Sequence, residues 1–316
     1  MKWRIAVLVV LATLAVGGFV AGWFLLKRPL EVWAWGTRRA LTGAGLRRVV
    51  VESPIGRQVA FVGGTGPVVV LLHGAGDQAG TWFRVAPDLS KRHAVVIPDL
   101  AGHGDSAPAT GEISAAAVVG GIEAVIKSQA GGRRVTVVGN SLGGWMAMVM
   151  AARHPDLIER VVAINGGALQ GVNEAARVLP KNRAEAREAM AQVRDAGSSP
   201  IPDYVLDDVI RQARVGPLAR FAATADSMAA WVLSEEQVRA LTTPVRLIWG
   251  ASDTLMPLDY ARRLEAALND VELVTIDRCG HVLQQECPDR LLAALHAALG
   301  DAPAQTPVAA PTAAVQ

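Results

Sequence analysis

Cysteine is scarce in this chain, and so is any surplus of charge. Only two cysteines, Cys279 and Cys287, occur in 316 residues; they are too few for a disulfide framework, and their spacing matches no metal-binding motif. The 31 basic and 29 acidic residues leave a formal net charge of +2, without a dense run of Lys or Arg. Composition therefore indicates neither a nucleic-acid partner nor a metal, and it leaves the redox compartment open.

Charge is absent from one long segment, residues 5–26, which holds 22 uncharged and mostly apolar residues. A bilayer core needs about 20 such residues in a helix, whereas the apolar part of a secretory signal has about 7–15. The length predicts a single-pass membrane anchor over residues 1–28 and a linker over 29–45. Cleavage as a signal peptide stays an alternative because residues 15–18 are small. We expect the rest of the chain on the non-cytoplasmic side, although the basic residues that flank the run are nearly balanced and lean slightly towards the opposite orientation.

Beyond the linker, unbroken apolar runs alternate with helical patterns. A hairpin is predicted over residues 46–63. Apolar strands without polar alternation are typical of a sheet that is buried on both faces, and their alternation with helices predicts a mostly parallel α/β sheet. The further predicted strands lie at residues 68–73, 93–99, 134–140, 160–165, 245–250 and 271–277.

One stretch, residues 168–242, contains no predicted strand. A helix is predicted over 182–196, with Asn182 as its N-cap and Gly197 as its end, and two more follow at 203–214 and 217–232. An insertion of 75 residues is far longer than an ordinary connection. Such insertions form lids over binding sites. The expected organisation is a core in two parts, a helical cap and a disordered Ala/Pro/Thr-rich tail: residues 46–167 and 243–300, 168–242, and 301–316.

The segment VTVVGNSLGGW places a serine in an unusual context. Ser141 is the centre of a G-x-S-x-G motif, with a predicted strand before it and a predicted helix after it. A tight strand-to-helix turn forces strained backbone geometry on the central residue, and the flanking Gly139 and Gly143 remove Cβ atoms that would collide. The helix N-terminus favours negative charge that develops there. The simpler alternative is a glycine-rich turn with an incidental serine.

A serine hydroxyl is a poor nucleophile without a base, and the chain order expected around such an elbow is serine, acid, histidine. His281 follows the strand that ends at residue 277, and Asp253 follows VRLIWG. All three side chains are then at the carboxyl ends of strands, where ligands bind in open α/β sheets. Ser141, Asp253 and His281 are the predicted catalytic residues. The predicted oxyanion donors are the backbone N–H groups of Leu142 and Ala75, with Gly76 close behind Ala75.

Other candidates fit less well. His73 comes before the serine, which is the wrong order. Asn165 follows the RVVAIN strand, but an amide cannot stabilise an imidazolium ion. Asp277 precedes the histidine by only four residues. Cys279 has no elbow around it, and packing is its expected role.

Five segments in this order, LLHGAGDQAGTW, PDLAGHGDS, VVGNSLGGW, LIWGASDTLMP and CGHVLQQECPDRL, resemble the α/β-hydrolase superfamily over roughly residues 46–300. Together with the apolar N-terminus they are similar to membrane-anchored esterases of the monoacylglycerol-lipase type. The GNSLGG and CGH segments also resemble hydrolases that cleave carbon–carbon bonds in ring-fission products of aromatic degradation. Serine at position 141 argues against haloalkane dehalogenases and epoxide hydrolases, which need aspartate there.

The resemblance implies an α/β-hydrolase fold, in which His73 and the DLAGHGDS loop are structural. It also implies a serine hydrolase that needs no cofactor and acts on a small-molecule ester or lipid, with an acylglycerol as the favoured substrate because of the anchor. Two other classes stay open. The glycine-rich loop after VVVLLH, with Asp99 at the end of the next strand, echoes a nicotinamide-binding fingerprint, although its G-x-G-x-x-x-G spacing is one residue too long. A non-catalytic membrane scaffold is the other.

Overall fold

The computed structural model describes residues 2–169 and 178–301. Its centre is one eight-stranded sheet in the order β1-β2-β4-β3-β5-β6-β7-β8. The pairs β1·β2 and β2·β4 are antiparallel, and all the others are parallel. The mostly parallel α/β sheet predicted from the sequence is therefore confirmed. The strands are β1 (Arg47–Val51), β2 (Gln58–Gly63), β3 (Val68–Leu72), β4 (Ala94–Pro98), β5 (Val135–Asn140), β6 (Ile158–Ile164), β7 (Val245–Gly250) and β8 (Val271–Ile276).

Helices cover both faces of this sheet, which explains why its central strands are continuously apolar. Every residue of β3 and of β5 is buried. One face packs on the apolar sides of α4, α5 and α11, and the other packs on α2, α13 and a 3₁₀ turn at Ala79–Trp82. The helices are α1 (Lys2–Lys27), α2 (Pro29–Gly43), α3 (Ala86–Leu89), α4 (Ala115–Gln129), α5 (Leu142–Arg153), α6 (Arg183–Gln192), α7 (Asp203–Val215), α8 (Pro217–Ala222), α9 (Ala225–Met228), α10 (Glu235–Arg239), α11 (Leu258–Ala267), α12 (Leu283–Glu286) and α13 (Pro288–Leu299).

The N-terminal apolar run forms α1, and its stretch Val10–Lys27 is long and apolar enough to cross a membrane, with none of it buried against the protein. A signal sequence near the N-terminus can pass the same test, so the helix alone does not separate an anchor from a cleaved leader. The segment expected as a linker, residues 29–45, is a helix instead. Leu41 of α2 is fully buried, and the Leu30 N–H donates to the Asp208 carboxylate at 3.0 Å. The segment forms a helix because its apolar face packs on the domain.

The described part of the insertion between β6 and β7 is helical, and it consists of α6 to α10, hereafter the cap. The Asn182 side chain caps α6 as predicted, accepting from the Glu185 N–H at 3.0 Å. The helix ends at Gln192, four residues short of the predicted end before Gly197. The helix predicted over 217–232 is broken into α8, α9 and a 3₁₀ turn. Residues 170–177 of the predicted cap and 302–316 of the predicted tail lie outside the described residues.

Candidate active site

Ser141 lies between the last residue of β5 and the first residue of α5. Its backbone has φ 55° and ψ −116°, a conformation that non-glycine residues rarely adopt and that is often found at functional sites. A Cβ atom at position 139 would collide with the backbone of Gly143, so the turn needs a glycine there. The Ser141 N–H donates to the Ile164 carbonyl at 2.9 Å. The sharp turn predicted from G-x-S-x-G is present.

Asp253 and His281 form a hydrogen-bonded pair on neighbouring loops. The distance between Asp253 Oδ2 and His281 Nδ1 is 2.6 Å, and both residues are 4% exposed. The other carboxylate oxygen accepts the N–H groups of Leu255 and Met256, each at 2.9 Å. These bonds fix the plane of the carboxylate. Because Nδ1 is engaged, Nε2 is the ring nitrogen that can exchange a proton with a hydroxyl.

Asn165 takes part in this pair, which the sequence analysis did not foresee. It has φ 45°, a left-handed conformation that asparagine tolerates better than most residues. Its Nδ2 donates to Asp253 Oδ2 and, at 3.3 Å, to the Gly280 carbonyl. Its Oδ1 accepts the Gly250 N–H at 2.9 Å. Asn165 is not an acid, but it holds the acid loop and the histidine loop together.

A second asparagine links the serine turn to the histidine loop. Asn140 Nδ2 donates to the His281 carbonyl at 2.9 Å, and its Oδ1 accepts from Gln284 Nε2 at 3.1 Å. Both side chains are buried. The sequence could have indicated a role for Asn140, because this residue lies inside the G-x-S-x-G motif. It could not have indicated one for Gln284, because the pairing with Asn140 exists only in the folded chain.

The two predicted oxyanion donors belong to separate segments near the serine. Across the described residues, neither the Leu142 N–H nor the Ala75 N–H donates a main-chain hydrogen bond. A Cβ atom on Gly74 would lie 3.3 Å from the Cβ of Ser141, so the loop that carries Ala75 passes close to the serine. Two such N–H groups can receive an oxyanion.

His73 is a structural residue, as the resemblance implied. Its Nδ1 donates to the Gly74 carbonyl at 2.7 Å and its Nε2 accepts the Leu100 N–H at 3.0 Å, so neither nitrogen is free for catalysis. Burial lowers the pKa of His73 to about 4 and keeps it neutral. Asp277, the weaker candidate acid, is exposed.

The two cysteines form a disulfide, Cys279–Cys287, with their Cα atoms 6.2 Å apart. The expectation that Cys279 only packs in the core was therefore incomplete. Its side chain is buried, but it is also cross-linked to Cys287. The loop that the bridge closes contains His281. Two cysteines eight residues apart gave no signal of this, because their approach depends on how the intervening loop folds.

The model of the alpha/beta hydrolase family matches residues 69–294. The chain belongs to this family. An uncharacterized protein of Mycobacterium tuberculosis is 29% identical over 264 residues, which cover 75% of this chain and 76% of that protein. A 2-hydroxy-6-oxo-6-phenylhexa-2,4-dienoate hydrolase of Burkholderia cepacia is 28% identical over 251 residues, or 72% and 85% of the two chains. The crystal structure of a membrane phospholipase A, described as a bacterial virulence factor, superposes with a TM-score of 0.75 at 23% identity and covers 95% of this chain and 98% of that one.

Family membership makes the chain a hydrolase, for which a small molecule is the substrate. It also argues against the nicotinamide-dependent alternative, and the site agrees. The Asp99 carboxylate, which would have to meet a ribose, is buried and accepts the N–H groups of Ala79 and Asp105 at 2.8 and 2.9 Å.

Proposed function

We propose that this protein is a serine hydrolase of carboxylic esters, with Ser141 as nucleophile, His281 as general base and acid, and Asp253 as the residue that orients the histidine. The observation that carries the proposal is the 2.6 Å contact between Asp253 and His281, joined through Asn140 to the strained turn of Ser141. A buried carboxylate on Nδ1 selects the tautomer in which Nε2 accepts a proton, and it stabilises the imidazolium that results.

The reaction follows from these positions. As Ser141 Oγ attacks the ester carbonyl carbon, its proton passes to His281 Nε2, and the carbonyl oxygen becomes an oxyanion bound by the Leu142 and Ala75 N–H groups. The tetrahedral intermediate expels the alcohol, which takes the proton from His281 and leaves an acyl-serine. A water molecule then gives a proton to His281 and attacks the acyl carbon. Expulsion of Ser141 Oγ, which regains that proton, releases the acid.

The surroundings of the site favour an apolar, lipid-derived acyl group. A cavity of about 560 Å³ is lined by Leu25, Trp33, Phe83 and Tyr204, among others, and it begins at the end of α1. A second cavity of about 390 Å³ shares Trp33 and Phe83 and reaches Val282, the neighbour of His281. If α1 spans a membrane, the first cavity lies beside the bilayer. The similar membrane phospholipase A structure points to the same substrate class.

An acyl-chain series of p-nitrophenyl esters, from acetate to palmitate, tests the proposal on the full-length protein in detergent micelles. Hydrolysis that rises with chain length and disappears in Ser141→Ala is the expected result. Turnover that is absent, or that persists in the variant, would contradict the ester-hydrolase assignment.

Carbon–carbon hydrolysis is the second candidate, because relatives such as the Burkholderia cepacia enzyme carry that activity in their names. The same serine, histidine and aspartate would be used on a vinylogous 1,5-diketone acid rather than on an ester. Loss of the visible absorbance of a ring-fission product, measured beside the ester series, separates the two. The candidate with the larger kcat/KM is retained.

We further propose that α1 stays in the mature chain and that the hydrolase domain lies on the non-cytoplasmic side of the membrane. The disulfide Cys279–Cys287 supports this location, because disulfides persist in oxidising compartments and are rare in a reducing cytosol. Secretion after cleavage of the leader would place the domain in the same kind of compartment.

A further inference from the structure

The C-terminal end of α6 makes direct main-chain contact with the loop that carries the histidine. The His281 N–H donates to the Val193 carbonyl at 2.9 Å. Gly280 lies so close to this part of the cap that an added Cβ atom would be 2.6 Å from the Val193 carbonyl oxygen and 2.7 Å from the Arg194 Cα. The histidine loop therefore rests on the cap backbone, with no side chain between them.

The same end of α6 also holds the loop that carries the acid. The Gln192 carbonyl accepts the N–H groups of Thr254 and Leu255 at 3.2 and 3.3 Å. One turn further, Asp195 Oδ2 accepts the hydroxyl of Ser252 at 2.5 Å. The residues that flank Asp253 on both sides are thus fixed to the cap. These contacts lie directly at the end of α6, where the two loops take the carbonyls of Gln192 and Val193.

Glu286 completes the connection from the other side. One carboxylate oxygen accepts the Asp195 N–H at 3.0 Å and the Ser198 hydroxyl. The other accepts the N–H of Gly280. A carboxylate that receives three donors from two segments is a strong bridge, because hydrogen bonds to an ionised acceptor are about twice as strong as neutral ones.

We propose that residues 192–198 of the cap, hereafter the clamp segment, set the geometry of the Asp253–His281 pair, with Glu286 and Asp195 as positioning residues. The acid and base loops are joined to each other by Asn165, and both are held by the clamp segment, so the register of the pair depends on the docking of the clamp segment. Displacement of the clamp segment would then misalign the acid–base pair. This inference rests on the proposed function, and it assigns the cap a part in catalysis besides substrate binding.

The test uses the full-length protein and Glu286→Gln. In glutamine an NH₂ group replaces one carboxylate oxygen, so a hydrogen-bond donor faces another donor. The substitution also removes the negative charge, and it changes the shape of the side chain little. We expect kcat for a p-nitrophenyl ester to fall by up to about 100-fold, with KM within about twofold, since misplacement by about 1 Å can cost that much. Glu272→Gln, on an exposed position of β8 far down the sheet, is the matched control and is expected to keep kcat.

A spectroscopic signal reports the pair directly, whether or not the enzyme turns over an ester. The His281 Nδ1 proton shared with Asp253 gives a far-downfield ¹H NMR resonance, which is assigned by its loss in Asp253→Asn. We expect the resonance to broaden or disappear in Glu286→Gln and to persist in Glu272→Gln. Should the wild type cleave no ester, the proposed function fails, and the resonance still decides the role of the clamp segment.

Paired serine variants cover the case in which Glu286→Gln does not fold. Ser198→Ala removes a donor to Glu286, whereas Ser198→Thr retains the hydroxyl. Ser227→Ala, at a cap serine whose hydroxyl donates to the Thr224 carbonyl in its own turn, is the control. Loss of kcat and of the resonance in Ser198→Ala, with recovery of both in Ser198→Thr, supports the proposal. An intact resonance and unchanged kcat in Ser198→Ala and Glu286→Gln, with only the melting temperature lowered, would overturn it.

Discussion

The Asn140 side chain, one residue before the nucleophile turn, donates a hydrogen bond to the main-chain carbonyl of His281 at 2.9 Å. Residues 141 positions apart in the chain are thereby fixed to each other without any catalytic atom being used. The predicted nucleophile and base thus come from two loops whose relative position is set by a buried amide. This bond leaves the serine hydroxyl and the second imidazole nitrogen free for the substrate.

Replacing Ser141 with alanine should abolish ester hydrolysis and leave the fold intact. The side chain is small and lies on a turn, whereas loss of a nucleophile costs about 10⁶-fold in turnover. Steady-state hydrolysis and labelling by a fluorophosphonate measure the effect. Circular dichroism controls for folding. Labelling that continues in the variant would place the reactive group at another residue.

Replacing Asp253 with asparagine should lower turnover by up to about 10⁴-fold, because the amide favours the wrong tautomer of His281. Asn165 offers a way to test this further, since its side chain contacts the same carboxylate oxygen. Asn165→Asp in the Asp253→Asn background brings a carboxylate next to the histidine, and we expect about tenfold recovery, or about 1.4 kcal/mol. The single variant Asn165→Asp should be slower than wild type, because two adjacent carboxylates repel each other. No recovery in the double variant would show that position 253 alone has usable geometry.

Much of the fold was predictable from local patterns, and the reason is visible in β5 and α5. A buried strand, two glycines and a helical run lie next to each other in the chain, so sequence and geometry coincide there. Asp253 and His281 were predictable because each follows a strand of the same sheet and strand ends converge. Asn165 could not be assigned its role, because its partners Gly250, Asp253 and Gly280 lie on two other strand-to-helix connections. The helix α2 was taken for a linker, since its packing face fits a surface that only the folded domain presents.

The disulfide should stabilise both the domain and the histidine loop. Cys279 and Cys287 are eight residues apart, and closing so short a loop removes denatured-state entropy worth roughly 2–3 kcal/mol. We expect the Cys279→Ser/Cys287→Ser variant to lose about that much free energy of unfolding and to turn over more slowly, because Glu286 and His281 both lie within the bridged loop. Urea denaturation with and without reductant measures the change. Equal stability of wild type and variant under oxidising conditions would show that the bridge does not form.

Acid should destabilise the domain through two buried histidines. Burial lowers the pKa of His73 to about 4 and that of His103 to about 3, whereas the unfolded chain titrates near 6.5. As the pH falls from 6.5 towards 4, the unfolded state binds up to two protons that the folded state does not. Stability is thus full above pH 6.5 and is lost on acidification, by up to about 1.4 kcal/mol per pH unit for each proton.

Urea unfolding at several pH values between 7.5 and 4.5 measures this slope, and His103→Asn tests its origin. Asparagine can keep the bond that His103 Nδ1 makes with the Ala101 carbonyl at 3.0 Å, but it does not titrate. We expect the part of the acid slope due to His103 to vanish. A slope identical to that of wild type would assign the acid sensitivity to other groups.

The mature chain should retain α1 and require it for action on membrane lipids. The side chains described between Val10 and Lys27 are not buried against the rest of the protein. In water they would expose a long apolar surface, which a bilayer would cover. Removal of residues 2–28 should give a soluble protein that hydrolyses a water-soluble short-chain ester at nearly the wild-type rate. Its rate on phospholipid or acylglycerol vesicles should fall, because a tether raises the effective concentration of enzyme at the surface. Membrane fractionation with intact-mass measurement checks retention. A soluble native chain that begins near residue 18 or 22 would show that the segment is a cleaved leader.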